Sequence, residues 1–314
     1  MNPRVIITAF THPTLEEGLR RRGYDVDVRE QISYTALADI IHLYEGMVIS
    51  TRLNIDAAIL SKATAMQWIG RLGSGMEIID VDFAVSQNIH CMSSPEGNCG
   101  PVGEHCLGML LSLMHHISWA AQEVAQGIWS REPNRGMELR GKTVGIIGYG
   151  HTGSSFCNLL APFGVKVLAV DKYKTGFTSG YVRESSPEQV MAEADVVSFH
   201  LPLTPETAFY ADDHFFGSLQ QNPVLLNASR GGVVDTAALI RALDSGKIAA
   251  AGLDVLENEE LKSYTLHEAE QLQNLASRKN VLITPHIAGY SKESLFRMPA
   301  VILEKLDAFR RSNS

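Results

Sequence analysis

Residues 144–153 read VGIIGYGHTG. Gly148, Gly150 and Gly153 have the G-x-G-x-x-G spacing of a dinucleotide-binding turn. A continuous apolar strand precedes the turn, a helical segment follows it, and a second strand, VKVLAVD, ends in Asp171. In such a turn the first glycine permits a tight bend, the second lets the backbone approach a pyrophosphate, and the helix N-terminus attracts the phosphate charge. The motif therefore predicts a Rossmann nucleotide-binding domain.

The acidic residue at the end of the second strand indicates which cofactor binds. Asp171 follows Gly148 by 23 residues, close to the ~20-residue interval of the acid that binds the adenosine ribose. Its carboxylate can accept hydrogen bonds from both ribose hydroxyls and would repel a 2′-phosphate, which favours NAD over NADP. Lys172 and Lys174 weaken this preference slightly, and a helix cap or a solvated strand end is the alternative role of Asp171.

Composition excludes several classes of protein. The chain has 314 residues, 45% hydrophobic and 20% charged, as expected for a soluble globular protein with two domains. A net charge of -8 argues against nucleic acid or an anionic membrane surface as a partner. The four cysteines form no C-x-x-C pair, so reduced thiols and a cytoplasmic location are expected. Cys99, His105 and Cys106 lack the second ligand pair of a zinc site, and no metal is expected.

The residues before the glycine motif alternate between short apolar strands and helical segments. Thr14 and Glu17 have the spacing of a capping box that opens the first helix. Strands are predicted at 4–8, 24–28, 46–50, 67–72 and 90–94, with helices near 55–63 and 80–87. This alternation predicts a small α/β domain whose parallel sheet is covered on both faces.

The remaining segments set the predicted domain boundaries. Residues 95–104, in the stretch SPEGNCGPVGE, are predicted to form a loop that crosses between domains, and an amphipathic helix is predicted from about 102 to 126. Further strands are predicted at 194–203, 222–229, 247–256 and 281–284, followed by a last helix over 291–311 that returns to the first domain. The predicted domains are 1–98 plus 286–314, and 99–285.

Three predicted strand ends carry residues suited to chemistry. In open α/β sheets, ligands bind at the carboxyl ends of the strands. Arg230 follows LLNAS and could grip a carboxylate through two parallel hydrogen bonds, and His286 in TPHIAG could exchange a proton near neutral pH. Between them, the run LDVLENEE offers four carboxylates, Asp254, Glu257, Glu259 and Glu260. Each residue could instead be structural, but their shared sheet edge favours a common site.

Several motifs together resemble a known family. They are G-Y-G-H-T-G, H-L-P-L-T-P-E-T (200–207), N-A-S-R-G (227–231), G-L-D-V-x-E-x-E (252–259), T-P-H-I-A-G (284–289) and RLGSGMEIIDVDFA (71–84). In order and spacing, over nearly the whole chain, they resemble the D-2-hydroxyacid dehydrogenase family, the phosphoglycerate dehydrogenase-like group. The resemblance implies a flavodoxin-like substrate domain completed by the C-terminal helix, an active site in the cleft between domains, and a homodimer.

The resemblance also implies the roles of individual residues. Arg230 would bind the substrate carboxylate, His286 would be the acid/base, and Glu259 would hold His286 and favour its charged form. Backbone N–H groups would bind the same carboxylate at Ser74, Gly75 and Met76. The cofactor would contact Gly148, Gly150, His151, Thr152, Gly153, Asp171, His200, Ala228, Ser229, Arg230, Asp254 and His286.

The chain departs from the family pattern at four places. The family often has Arg-Ile at His151-Thr152, a proline at Glu260, and a basic residue where this chain has Ile49 and Ser50. The segment before Thr284 is also longer than usual and includes a predicted extra helix, LHEAEQLQNLASRK. The substrate, and whether it carries a phosphate, therefore stay open.

The predicted function is reversible hydride transfer between NAD and a D-2-hydroxy acid or its 2-oxo acid, a small-molecule substrate. The alternative is an NAD-sensing binding protein without catalysis, since some relatives act as transcriptional corepressors. An enzyme for formate or phosphonate is a further alternative, although the formate enzymes carry glutamine where this chain has Glu259.

Overall fold

The computed structural model describes residues 2–312, which divide into two compact units. Unit 1 runs to Cys99 and resumes at Gly289, and unit 2 is Gly100–Ala288. The second boundary lies three residues later than the sequence suggested. The reason is that the N–H groups of Ile287 and Ala288 donate to the carboxylate of Asp254, at 2.9 and 2.7 Å, so His286 stays with unit 2.

Unit 1 contains a five-stranded parallel sheet. Its strands are β1 (Arg4–Ile7), β2 (Asp25–Val28), β3 (Gly46–Ile49), β4 (Trp68–Arg71) and β5 (His90–Ser93). The helices between them are α1 (Pro13–Arg21), α2 (Tyr34–Ile40), α3 (Ala57–Leu60) and α4 (Val81–Ser86). The strand order β2-β1-β3-β4-β5 is that of a flavodoxin-like sheet.

The first helix begins differently from the prediction. The cap residue of α1 is His12, whose Nδ1 accepts from the N–H of Thr14 at 3.3 Å, and Pro13 occupies the first helical position. Proline fits there because its fixed φ suits the helix and its missing N–H would have no intrahelical partner. The predicted capping box of Thr14 and Glu17 is therefore wrong.

The region predicted as a loop followed by one long helix is two helices, α5 (Pro95–Met114) and α6 (Ile117–Ala125). Gly97 and Gly103 of α5 lie where other helices approach closely. A Cβ on Gly97 would lie 2.7 Å from the backbone of Met298, and one on Gly103 would lie 3.0 Å from the backbone of Phe156. The small residues that suggested a loop thus allow close helix packing. The break between α5 and α6 lies at His116, which has the left-handed φ of +53°.

Unit 2 contains a seven-stranded parallel sheet. Its strands are β6 (Thr143–Ile147), β7 (Lys166–Val170), β8 (Val182–Glu184), β9 (Val196–Phe199), β10 (Val224–Asn227), β11 (Ala250–Leu253) and β12 (Val281–Ile283). Its further helices are α7 (His151–Leu160), α8 (Pro187–Glu193), α9 (Asp213–Ser218), α10 (Thr236–Asp244) and α11 (Leu266–Ala276). The order β12-β11-β10-β9-β6-β7-β8 is the Rossmann arrangement, in which all strands are parallel and the strand order reverses between β6 and β9.

The last helix, α12 (Lys292–Ser312), completes the core of unit 1. Its Ile302, Leu303 and Leu306 are buried in the same apolar cluster as Leu15 and Leu19 of α1. The other face of the sheet is covered by a second cluster that includes residues of α2, α3 and α4. Two parallel-sheet α/β domains, with the sheet of unit 1 covered on both faces, are thus confirmed.

Candidate active site

The glycine turn lies at the point where the strand order of unit 2 reverses. Gly148 follows β6 with φ +98°, and a Cβ there would collide with the carbonyl oxygen of His200, which follows β9. A Cβ on Gly153 would collide with the carbonyl oxygen of Gly148. A Cβ on Gly150 would meet no atom within 4 Å. The turn is therefore packed on its inner side and open at Gly150, which is the cradle that a pyrophosphate requires.

Asp171 is already bonded to the backbone around it. Its carboxylate accepts from the N–H of Tyr149 at 2.8 Å and from the N–H groups of Tyr173 and Lys174 at 2.9 Å each. A carboxylate has about four acceptor positions, so roughly one remains, on Oδ2. Asp171 can thus bind one ribose hydroxyl directly. To bind both hydroxyls, its carboxylate would have to lose one of its hydrogen bonds from a backbone N–H group.

Cofactor preference is testable at this position. We expect NADH to bind more tightly than NADPH, because the carboxylate of Asp171 repels a 2′-phosphate. Asp171→Ala is expected to lower the affinity for NADH about tenfold, the size of one lost hydrogen bond to a charged group. The difference between the affinities for NADH and NADPH should become smaller. Asp171→Asn keeps an acceptor for the N–H groups of Tyr173 and Lys174 and removes the charge, so the affinity for NADPH should rise in this variant. Dissociation constants from nucleotide fluorescence check this, and equal wild-type affinities would remove Asp171 from its role.

Arg230 follows β10 in a turn fixed by the preceding asparagine. The side chain of Asn227 donates to the Arg230 carbonyl at 2.9 Å and accepts from the N–H and hydroxyl of Ser229. A Cβ on Gly231 would collide with the carbonyl of Leu256, so the turn lies directly against the segment after β11. The guanidinium of Arg230 is half-buried and donates to the Ser229 carbonyl at 2.6 Å.

His286 and Glu259 form a side-chain pair. His286 Nδ1 lies 2.8 Å from Glu259 Oε2, and the two side chains are 43% and 45% exposed. Glu257 instead accepts from the N–H of Thr236 at 2.5 Å, at the start of α10. Among the four carboxylates that the sequence offered after β11, Glu259 is therefore the one that contacts the imidazole.

Asp254 holds the loop of His286 from beneath. Its carboxylate is buried and accepts from the hydroxyl of Thr284 at 2.6 Å and from the N–H groups of Ile287 and Ala288. The N–H of His286 donates to the Asp254 carbonyl at 2.7 Å. This carboxylate contacts the loop that carries His286, and its predicted contact with the nicotinamide stays a prediction.

His200 is a neutral, buried imidazole at the end of β9. Its Nε2 lies 2.9 Å from the Ser198 hydroxyl, and its buried Nδ1 has no hydrogen-bond partner within residues 2–312. Burial lowers the pKa of His200 to about 3 from its usual 6.5. This ring is therefore unsuited to donating a proton, and its carbonyl packs against Gly148.

The low pKa of His200 predicts a pH-dependent stability. In the unfolded chain His200 binds a proton near pH 6.5, whereas in the folded protein it stays neutral down to about pH 3. The contribution of neutral His200 to the free energy of unfolding is therefore fully present above pH 6.5 and decreases below it. This group alone should cost about 1.4 kcal/mol per pH unit in that window. Urea unfolding at pH 7 and pH 5 should show a smaller loss in His200→Gln than in wild type, whereas the exposed His214→Gln should match wild type. Equal losses in all three proteins would rule out this effect.

The predicted substrate segment lies in unit 1, after β4. The N–H of Gly73 donates to the Ser94 hydroxyl at 2.9 Å, and Gly73 has φ +138°. The Ser74 hydroxyl donates to the Asn98 side chain at 2.9 Å. These contacts shape the turn that presents the backbone of Ser74–Met76. Sequence analysis did not assign a role to Asn227, Asn98 or Thr284. Asn227 is the last residue of β10 and Thr284 directly follows β12, so a polar residue at the end of an apolar strand is a signal that could have found these two.

Two other kinds of feature are absent from the part of the chain that the structure describes. Among residues 2–312, no group of three or more His, Cys, Asp or Glu side chains is placed to hold a metal ion. Within the same residues, no helix combines the length and the apolar character needed to cross a membrane.

Comparison with known proteins identifies the family. The model of the D-isomer specific 2-hydroxyacid dehydrogenase NAD binding domain matches residues 107–288, more than half of the chain. This chain belongs to the D-isomer specific 2-hydroxyacid dehydrogenase family. The family predicted from the motifs is thus confirmed, and so is NAD as the cofactor of unit 2.

Individual relatives of this family member are similar at moderate identity. D-3-phosphoglycerate dehydrogenase of Archaeoglobus fulgidus is 32% identical over 299 residues, which are 94% of this chain and 55% of the relative. The Bacillus subtilis enzyme of the same name is 30% identical over 275 residues, 87% of this chain and 51% of the relative. The chain thus spans about half the length of the curated relatives it matches.

A solved structure is similar over the full length. The D-lactate dehydrogenase of Aquifex aeolicus, complexed with NAD and lactic acid, is 26% identical with a TM-score of 0.84, and the match covers 98% of this chain and 96% of that one. The two-domain architecture of this dehydrogenase family member is therefore shared with a structure of nearly the same extent.

Proposed function

We propose that the protein is an NAD-dependent oxidoreductase that interconverts a D-2-hydroxy acid and its 2-oxo acid. The observation that carries this proposal is the His286–Glu259 pair, 2.8 Å apart, in the same unit as the NAD-binding turn. His286, Asp254 and Arg230 follow β12, β11 and β10, three adjacent strands of one sheet. A proton donor, a loop anchor and a carboxylate-binding cation thus lie at neighbouring strand ends.

Each side chain has a defined task in this proposal. NAD, when bound, supplies or takes up the hydride. Arg230 binds the substrate carboxylate through its planar fork and orients the carbonyl carbon. Glu259 can only accept, so the pair keeps a proton on His286 Nδ1, and Nε2 is the atom that gives a proton to the carbonyl oxygen in reduction and removes it in oxidation. Ala228 and Ser229 would border the nicotinamide.

The substrate proposed is an unphosphorylated 2-oxo acid. Arg52 is the cation nearest in sequence to the basic position that the family often uses, and its guanidinium donates to the carbonyls of Ile32 and Thr8, at 2.7 and 3.3 Å. Two of its donor nitrogens are therefore engaged with backbone. This supports an acid without a phosphate group.

A substrate panel tests the proposed function. The protein is mixed with NADH or NADPH and with pyruvate, glyoxylate, hydroxypyruvate, phosphohydroxypyruvate and larger 2-oxo acids, and absorbance at the NADH band is followed. Turnover of at least one 2-oxo acid with NADH, and weaker use of the phosphorylated compound, are expected. Tight NADH binding without turnover of any acid would favour the NAD-sensing alternative.

Assembly and location form part of the proposal. Exposed apolar side chains on α6 and the segment after it, including Ile117, Val124, Ile128 and Trp129, support a homodimer. All four cysteines are unpaired thiols, which supports a reducing compartment such as the cytoplasm.

The pairing of His286 predicts different effects for two neighbouring glutamates. Glu259→Gln replaces the carboxylate acceptor of His286 Nδ1 with a neutral amide, so reductive kcat/KM should fall about a hundredfold, the lower end of the range that general acid catalysis supplies. Glu257→Gln, the matched control, should leave kcat/KM unchanged, because Glu257 binds the start of α10. Steady-state kinetics check both variants, and a loss of kcat/KM in the 257 variant alone would mean that the assignment is wrong.

A further inference from the structure

A chain of hydrogen bonds leads from α5 to the loop that carries His286. His105 Nε2 lies 3.0 Å from Thr284 Oγ1 and 3.5 Å from Asp254 Oδ1. The Thr284 hydroxyl lies 2.6 Å from the same Asp254 oxygen. A hydroxyl has one proton and a carboxylate only accepts, so Thr284 donates to Asp254 and accepts from His105. The His105 proton on this side therefore sits on Nε2.

The far end of this chain determines the loop conformation. Asp254 has a side chain with 0% exposure, and two of its bonds go to the N–H groups of Ile287 and Ala288. His286 itself has φ +54°, a left-handed conformation that is strained for a non-glycine residue and persists only when surrounding contacts impose it. A buried carboxylate needs compensating donors. Within residues 2–312, His105 is the one basic side chain that pairs with Asp254.

We infer that His105 is a positioning residue for His286 and acts through Thr284 and Asp254. The inference rests on the proposed function, because it takes His286 as the acid/base. The Nε2–H of His105 saturates the Thr284 hydroxyl and offsets part of the Asp254 charge. That keeps the carboxylate directed at the loop amides, and the loop in turn keeps the imidazole of His286 against Glu259.

Two substitutions at His105 distinguish the effect of its N–H donor from the effect of its side-chain volume. His105→Phe fills the space without a donor, and His105→Gln retains an N–H donor. In His105→Phe we expect kcat for 2-oxo acid reduction to fall about tenfold, at the low end for a residue that orients another. KM and NADH affinity should stay within about twofold, and His105→Gln should recover at least half of kcat. Thr284→Val, which breaks the chain at its next link, should behave like His105→Phe, and the exposed His267→Phe should behave like wild type.

A spectroscopic measurement distinguishes positioning from general destabilisation. In imidazole nitrogen NMR spectra of the protein without nucleotide, the His286 signals, assigned by their loss in His286→Asn, should move in His105→Phe and return in His105→Gln. Unmoved His286 signals, or a loss of NADH affinity equal to the loss of kcat, would overturn the inference. Full turnover by His286→Asn would overturn the proposed function as well. An inactive His286→Asn together with a fully active His105→Phe would overturn this inference alone.

Discussion

His286→Asn is expected to lower kcat/KM about a thousandfold in both reaction directions, within the range that a positioned acid/base contributes. Asparagine cannot give or take the proton that His286 Nε2 exchanges. It is the appropriate replacement because it tolerates the left-handed backbone that His286 adopts at φ +54°, so the loop around Asp254 should keep its shape. The loss is then a loss of proton transfer and not of structure.

Three measurements make this prediction specific. Steady-state kinetics with the best 2-oxo acid give the loss, and NADH fluorescence titration should show an affinity within a few-fold of wild type. The matched control is His214→Asn, an exposed histidine in α9, which should retain full activity. Activity of His286→Asn within tenfold of wild type would exclude His286 as the acid/base.

Arg230→Lys is expected to lower kcat/KM at least a hundredfold, on the order of 3 kcal/mol, although the charge is kept. A lysine ammonium is a point charge and cannot reproduce two parallel hydrogen bonds to a carboxylate. It also lacks the planar group with which Arg230 bonds the Ser229 carbonyl at 2.6 Å. Both the binding of the substrate and its orientation should therefore suffer.

The pattern of the loss identifies the role of Arg230. Both KM and kcat should worsen, since the same contact binds and orients the acid, while NADH affinity should change little. Arg241→Lys provides the control, because Arg241 is an exposed residue of α10 that pairs with Asp213. Wild-type turnover by Arg230→Lys would exclude Arg230 as the residue that binds the substrate carboxylate.

Much of the fold was predictable because it depends on local patterns. Apolar runs bounded by turns predicted the strands of both sheets, and the glycine spacing with Asp171 predicted the nucleotide domain. The sequence also predicted that Arg230 and His286 follow strands of one sheet. The short edge strand β8 was not predicted, since three residues provide too little pattern to distinguish a strand from a turn.

Local rules failed where a distant part of the chain determines the conformation. The Gly- and Pro-rich residues of α5 were predicted as loop because these residues break isolated helices. In the folded protein, Gly97 and Gly103 lack a Cβ at points where the helix touches other backbone, and that closeness stabilises the helix. His12 caps α1 in place of Thr14 because Pro13 fits the first helical position.

The candidate site shows the same division between sequence and tertiary structure. By itself the sequence determined which residues lie at the strand ends, because the position of each strand along the chain and the residue types that follow it can be read directly. The family resemblance had implied that Glu259 holds His286, and the tertiary structure brings these two side chains into contact. Only the tertiary structure decided that Glu257 binds α10 and that His105 reaches Asp254 through Thr284. The paired residues are 21 to 179 positions apart in the sequence. Glu257 and Glu259 are only two residues apart and have different partners. No local pattern encodes them, since they depend on how loops from separate strands are held by carboxylates and backbone amides that are distant in the sequence.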